Sequence, residues 1–278
     1  MSNSIDLNGF LSHRIEEIRS VGLPGNVTAL SLAMMMSSPN VVQELLKAGA
    51  DPNISSKVNM DSLMLASTFG RTDNIKFWLD TFPDWKIADR VLTFNGASAL
   101  NLCARIGQNN HEAFDLLIRR DVQLLKKHNF LGHTVLQSAV ENEDCDPEIV
   151  RSILRHVKKM VRSKSEFLEF INYRIRPPTL LFKVIFFVAK SSLRLGSRSL
   201  SLNEFAQIPG TTALNLAVKR GDAEITRILL DNGADPYVVN DLGINAFEMC
   251  KTFGPYPSVR TVLLEHELKK VDDDADAA

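Results

Sequence analysis

Apolar residues recur along this chain at helical spacing in short blocks that a glycine or a polar turn closes. Residues 210–237, GTTALNLAVKRGDAEITRILLDNGADPY, give the clearest example. Ala213, Leu214, Leu216 and Ala217 form a small apolar face ended by Gly221. Ile225, Ile228, Leu229 and Leu230 form a second face ended by Gly233, so the stretch predicts two short helices joined by tight turns. The same order recurs at residues 26–53, where Thr28, Leu30, Ala33, Val41, Leu45, Leu46, Gly49, Ala50 and Asp51 hold matching offsets. Self-similarity of this length predicts a repeat architecture.

With Thr28 as the anchor of the first unit, similar anchors fall at Asp61, Ser98, Thr134, Thr212 and Asn245, spaced 33, 37, 36, 78 and 33 residues apart. The second unit keeps Leu63, Ala66, Gly70, Ile75, Trp78 and Leu79 but ends in Phe82, Pro83 and Asp84 where the first has Gly49, Ala50 and Asp51. In the third and sixth units Cys103 and Cys250 take the small buried position, and in the fourth Asp146 with Pro147 predicts the start of a second helix. Before the first unit, Leu7, Phe10, Leu11, Ile15 and Ile18 share one face of a predicted helix, an N-terminal cap over residues 1–24 that shields the end of a stacked core.

The 78-residue interval is 12 longer than two units. Residues 147–173 read as one long helix or two, with a Ser163–Glu166 capping box as a restart, ended by Pro177 and Pro178. A helix from Leu180 to Leu195 follows an N-cap at Thr179. It opens either a degenerate repeat, since Thr179 lies 33 residues before Thr212, or a helical insertion with a serine-rich loop. The chain then divides into repeats 1–4 over residues 25–155, an insertion or degenerate repeat over 156–204, and repeats 5 and 6 with a closing helix over 205–270. The acidic residues 271–278 are expected to be a disordered tail.

Thr28-Ala29-Leu30 with Ala33 and Gly49-Ala50-Asp51-Pro52-Asn53, and again Thr212-Ala213-Leu214 with Ala217, Gly221 and Gly233-Ala234-Asp235-Pro236, resemble the ankyrin repeat. The resemblance spans roughly residues 25–155 and 205–265. It implies an all-α solenoid of six helix-turn-helix units with hairpin loops, interrupted by a helical insertion, and a non-enzymatic adaptor or scaffold that binds another protein. In such proteins partners contact the hairpin tips and the end of each first helix. Carried onto this sequence, those places hold Met35, Met36, Lys57, Phe69, Phe94, Arg105, Phe130, Leu131, His133, Glu141, Lys219, Arg220 and Phe253. Several are large, apolar or basic, as suits an interface core.

Composition adds one asymmetry. The 278 residues carry a formal net charge of −1, yet residues 151–200 hold 12 Lys or Arg and two Glu, leaving −11 on the remainder. Arg155, Lys158, Lys159, Arg162, Lys164, Arg174 and Arg176 form the candidate anionic-surface set. Such a segment is either a solvated face balancing acidic repeats or a contact for an anionic membrane surface, an acidic protein or nucleic-acid phosphate. Nucleic acid is the least expected of these, and the chain is expected to be monomeric on its own. The phenylalanines among the charges, Phe167, Phe170, Phe182, Phe186 and Phe187, read as core. Leu180 to Ala189 is about half the roughly 20 residues a membrane span needs, and no secretory signal is expected from the polar start of the chain.

Three dispersed cysteines without CxxC spacing point to a reducing compartment, cytoplasmic or nuclear; the ankyrin resemblance adds delivery into a host cell if the source is an intracellular bacterium. The six histidines lack metal-ligand spacing, no phosphate loop or nucleophile elbow occurs, and neither cofactor nor metal is expected. Cys145, between Asp144 and Asp146, is the one candidate nucleophile, and flanking carboxylates would disfavour its thiolate. His133 is expected on the surface of a hairpin loop, and Cys103 and Cys250 in the core.

Overall fold

The computed structural model describes residues 27–106, 111–196, 199 and 205–276; the expected N-terminal cap lies outside them. Among the described residues six pairs of helices stack in two rows. The inner row is α1 (Ala29–Met36), α3 (Ser62–Thr68), α5 (Ala99–Ile106), α7 (Val135–Val140), α11 (Ala213–Arg220) and α13 (Ala246–Phe253). The outer row is α2 (Pro39–Lys47), α4 (Thr72–Thr81), α6 (His111–Arg120), α8 (Pro147–Met160), α12 (Ala223–Asp231) and α14 (Pro257–Asp276). Helices α9 (Lys164–Ile171) and α10 (Leu180–Arg194) belong to neither row. The described residues contain no β-strand, as an all-α solenoid requires.

Local chemistry explains why each pair starts where it does. The six anchors are N-caps: Thr28, Asp61, Thr134, Thr212 and Asn245 accept hydrogen bonds from the third backbone N–H of their helices, and Ser98 accepts from Asn101 N. Five residues beyond each anchor stands a small side chain, in order Ala33, Ala66, Cys103, Ala139, Ala217 and Cys250, and all six are buried. A small side chain at that register lets neighbouring inner helices approach closely, while Val42, Ile75, Phe114, Ile149, Ile225 and Val259 fill the gap to the outer row.

Consecutive units are also tied through helix ends. The orphan carbonyls at the end of α1 are taken by the second unit, where Asn74 Nδ2 donates to Met34 O at 2.8 Å and Ser37 O at 2.9 Å, and Arg71 donates to Ser37 O at 2.9 Å. Arg220 does the same for the fourth unit, donating to Val140 O and, at 2.8 Å, to Glu143 O. The irregular end of the second unit is filled by an aromatic cluster of Trp78, Phe82 and Trp85, with the Arg90 guanidinium 3.7 Å over Trp85.

The hairpins between units, each numbered by the unit it leads into, so that the second to the sixth are present, close in a common way. Ser56 N donates to Met60 O, Leu92 N to Ala97 O, Asn129 N to His133 O and Asn240 N to Ile244 O, each spanning three or four residues. The fifth hairpin has the same base, Ile175 N donating to Thr211 O at 3.0 Å, but encloses 35 residues, 176–210. Since α11 packs on α7 and α12 on α8, the fifth unit stacks directly on the fourth. Helix α10 and the described residues around it therefore form an excursion from a hairpin tip, between the fourth and fifth units. The rest of the long interval is taken up by the 14-residue α8, whose last turn, His156–Met160, belongs to the repeat stack, and by α9.

Two expectations are corrected. Helix α14 runs to Asp276, so residues 271–276 continue the helix where a disordered tail was expected. At Ser163 the side chain accepts from Glu166 N, but the Glu166 carboxylate accepts from Arg162 N, one residue before the N-cap, so the cap is one-sided and not a reciprocal box.

Candidate functional site

Equivalent positions at the ends of successive inner helices form a row. Phe69 caps α3, Arg105 lies in the last turn of α5, Glu141 caps α7, Lys219 and Arg220 end α11, and Phe253 ends α13. Two neighbouring pairs in the row approach each other. Arg105 approaches Glu141 at 3.9 Å, and the Lys219 ammonium lies 5.1 Å over the Phe253 ring. Between them Glu141, Glu143, Leu216, Lys219, Arg220 and Tyr256 line a cleft of about 620 Å³. Gly221 turns left-handed at its edge (φ 77°), where a Cβ would meet the Tyr256 ring at 2.6 Å.

At the hairpins, Lys57 is exposed and Phe94 is 58% exposed, while Phe130 N donates to Asn95 O at 2.7 Å and its ring lies against Gly96, which joins the third and fourth hairpins. Leu131 and Met36 are half-buried.

Two of the expected contact residues are placed elsewhere. Met35 is buried at 4% exposure, because the second unit reaches over the last turn of α1 through Arg71 and Asn74. His133 is 2% exposed, because the Asn129–His133 hydrogen bond sets it at the hairpin base, immediately before the cap Thr134. Its Nε2 lies 3.3 Å from Glu141 Oε1 without hydrogen-bond geometry, and neither ring nitrogen has a hydrogen-bond partner among the described residues. Burial pushes its pKa down, and of the two nearby charges Glu141 opposes that shift while Arg105 adds to it.

A pH dependence follows with a definite sign. Below the unfolded value of about 6.5 the unfolded chain takes up a proton that buried His133 refuses, so the unfolded state binds more protons and stability falls as pH drops. Urea midpoints measured from neutral to mildly acidic pH should decline through this window, and His133→Gln should flatten the decline. An unchanged slope in the variant would show that His133 is not the group responsible.

The basic set divides. Arg174 is structural, held by Asp241 at 2.9 Å and donating to Gly210 O at the base of the fifth hairpin. Arg155 approaches Glu148 at 3.9 Å, Lys158 stands 5.2 Å over the Phe167 ring, and Arg162 is exposed with its backbone N–H bound by Glu166. Lys159, Lys164 and Arg176 are exposed and have no acidic partner among the described residues.

The aromatic residues in this region do not all enter the core. Phe167 and Phe186 are buried and Phe170 and Phe182 half-buried, but Phe187 is 71% exposed. Leu180, Leu181, Val184 and Val188 of α10 are exposed with it. The sequence signal was an apolar run with cations and no carboxylates; an all-round apolar helix is ordinarily buried, and here only one side is.

Cys145 is buried, and burial is the main reason its thiol is pushed up to about 12, with Asp222 and Asp146 adding to the effect and Arg220 opposing it. Of the two flanking carboxylates Asp146 acts in the expected direction, but desolvation is the larger cause. Cys103 is fully buried and likewise raised, as a packing thiol would be. No group of His, Cys, Asp and Glu able to hold a metal occurs among the described residues. No helix among them is long and apolar enough to cross a membrane.

The ankyrin repeat family model matches residues 26–57 and 210–241, the two units whose sequence pattern is most regular. Comparison with curated proteins gives no match. Similar solved structures include a chain of the complex between the predatory endopeptidase Bd0816 of Bdellovibrio bacteriovorus and immunity protein Bd3460, at TM-score 0.57 and 18% identity over 85% of this chain and 97% of that one. An ankyrin repeat domain from Acinetobacter baumannii aligns at TM-score 0.56 and 16% identity over 86% and 97%, and the ankyrin repeat protein EF0377 at 0.58 and 18% over 86% and 98%. Likeness at these identities speaks for the fold.

Proposed function

We propose that this chain, which carries ankyrin repeats, is a non-enzymatic adaptor that binds another protein through the row of inner-helix ends and the neighbouring hairpin tips. Ankyrin repeats are in general protein–protein interaction modules. The supporting observation is that Phe69, Arg105, Glu141, Lys219 and Phe253 fall at equivalent ends of stacked helices, and that Glu141 and Lys219 of this row, with Glu143 and Arg220, line a cleft of about 620 Å³. Such a surface accepts an apolar or aromatic side chain flanked by charges of either sign, the composition of an interface core and its rim.

Changing Phe69, Arg105 and Lys219 together to alanine should abolish capture of the partner from a lysate of the source cells, with the thermal midpoint held within a few degrees because all three are at least partly exposed. Retention of every captured protein by the triple variant would exclude this surface.

A further inference from the structure

We propose that α10, the helix at the tip of the fifth hairpin, is an interfacial anchor that lays its outward apolar face into an anionic lipid surface. The helix has two opposite apolar sides. Phe186 and Ala189 are buried, and Phe186 stacks 6.3 Å from Phe182 and 6.4 Å from Phe205, which fastens the inner side to the excursion. Lys190 Nζ donates to Asp241 O at 2.6 Å and ties the helix to the sixth hairpin. The outer side carries Leu180, Leu181, Val184, Phe187 and Val188, with Leu195 beyond its end, all exposed. Neighbouring large apolar residues on a soluble surface mark a contact site.

Charge selects the occupant. Between residues 170 and 203 there are six Lys or Arg and no Asp or Glu, and Lys183 and Arg194 border the apolar face without an acidic partner among the described residues. A second copy of the chain would bring these like charges to one interface, which disfavours self-association. An anionic headgroup layer satisfies both features at once, taking the apolar ridge at the acyl boundary and the cations at the phosphates. The 15-residue helix is about 22 Å long, too short to span a bilayer, and its internal hydrogen bonds leave little backbone to solvate, so it lies in the plane of the interface. Its place at a hairpin tip holds the anchor outside both helix rows, leaving the row of inner-helix ends to a protein partner.

The full-length protein is tested by flotation with phosphatidylcholine vesicles, with and without phosphatidylserine. Binding is expected only with phosphatidylserine and should weaken with salt. Lys183→Gln with Arg194→Gln should lower it roughly fivefold per charge, and Leu181→Ser with Phe187→Ser about tenfold or more, since affinity scales with apolar area. All four side chains are exposed, so circular dichroism and the melting midpoint should match the parent. Four outcomes would overturn the proposal: no flotation, equal flotation on both vesicle types, undiminished flotation of the Leu181→Ser/Phe187→Ser variant, or a solution dimer that this variant converts to monomer.

Discussion

Replacing Trp78 by alanine is expected to cost about 3–5 kcal/mol, the largest loss for a single core position in this chain. Trp78 is fully buried, its ring 4.7 Å from Phe82 and edge-on to Trp85 at 5.0 Å. Its indole N–H has no hydrogen-bond partner among the described residues, so nearly all of its contribution is apolar burial and packing. For a chain of this size the midpoint should fall by on the order of 10 °C.

The cluster takes the place of the glycine-ended turn of the first unit, and removing an indole from it leaves a cavity whose cost adds to the lost contacts. Because each unit of a solenoid touches only its neighbours, the loss should be local. Hydrogen exchange is expected to show protection falling most in α3, α4 and the units on either side, and least in α11 to α14. A uniform fall across all six units would show that the stack opens as one body. Trp78→Phe, which keeps most of the ring contact, should cost less than half as much.

The second large effect is expected at Gly132. It closes the fourth hairpin with φ 89°, in the left-handed region, and a Cβ there would lie 2.4 Å from Arg176 O, 2.5 Å from Arg176 C and 2.9 Å from Pro177 N. These are backbone atoms that a rotamer change cannot move aside. Gly132→Ala is therefore expected to lose about 1–2 kcal/mol in backbone strain and a comparable amount in displacing the start of the excursion, about 2–4 kcal/mol together.

Gly243 supplies the control. It holds the same turn in the sixth hairpin at φ 80°, and a Cβ added there would meet nothing within 4 Å, so Gly243→Ala should show the strain alone. Unfolding of both variants by urea separates the two contributions, and equal losses would mean that residues 176 and 177 are not seated on the fourth hairpin. Displacing that seat should also loosen α10, which the excursion carries, and raise hydrogen exchange at residues 180–194 in Gly132→Ala but not in Gly243→Ala.

The units themselves were legible because their determinants are local. An N-cap acts on amides two or three residues away, a small residue five positions later decides how closely inner helices pack, and glycine turns read directly as positive φ at Gly49, Gly221 and Gly233. The row of helix ends was legible for the same reason, since register alone placed Phe69, Arg105, Glu141, Lys219 and Phe253. Met35 lies deeper than its register suggests because the neighbouring unit's Arg71 and Asn74 cover the end of α1, and His133 because closure of the Asn129–His133 hairpin sets it at the hairpin base beside the cap Thr134.

Six ankyrin-like helix pairs and a basic stretch that breaks their spacing could be read along the chain, because propensity, capping and periodicity are properties of a few consecutive residues. Tertiary structure alone decided where the break lies. The Ile175–Thr211 hydrogen bond joins residues 36 apart and turns what reads as a candidate seventh unit into the tip of the fifth hairpin. It likewise decided that α10 buries only the Phe186 side. Which side of an almost wholly apolar helix meets water depends on what surrounds it, and no local pattern along residues 180–195 records that.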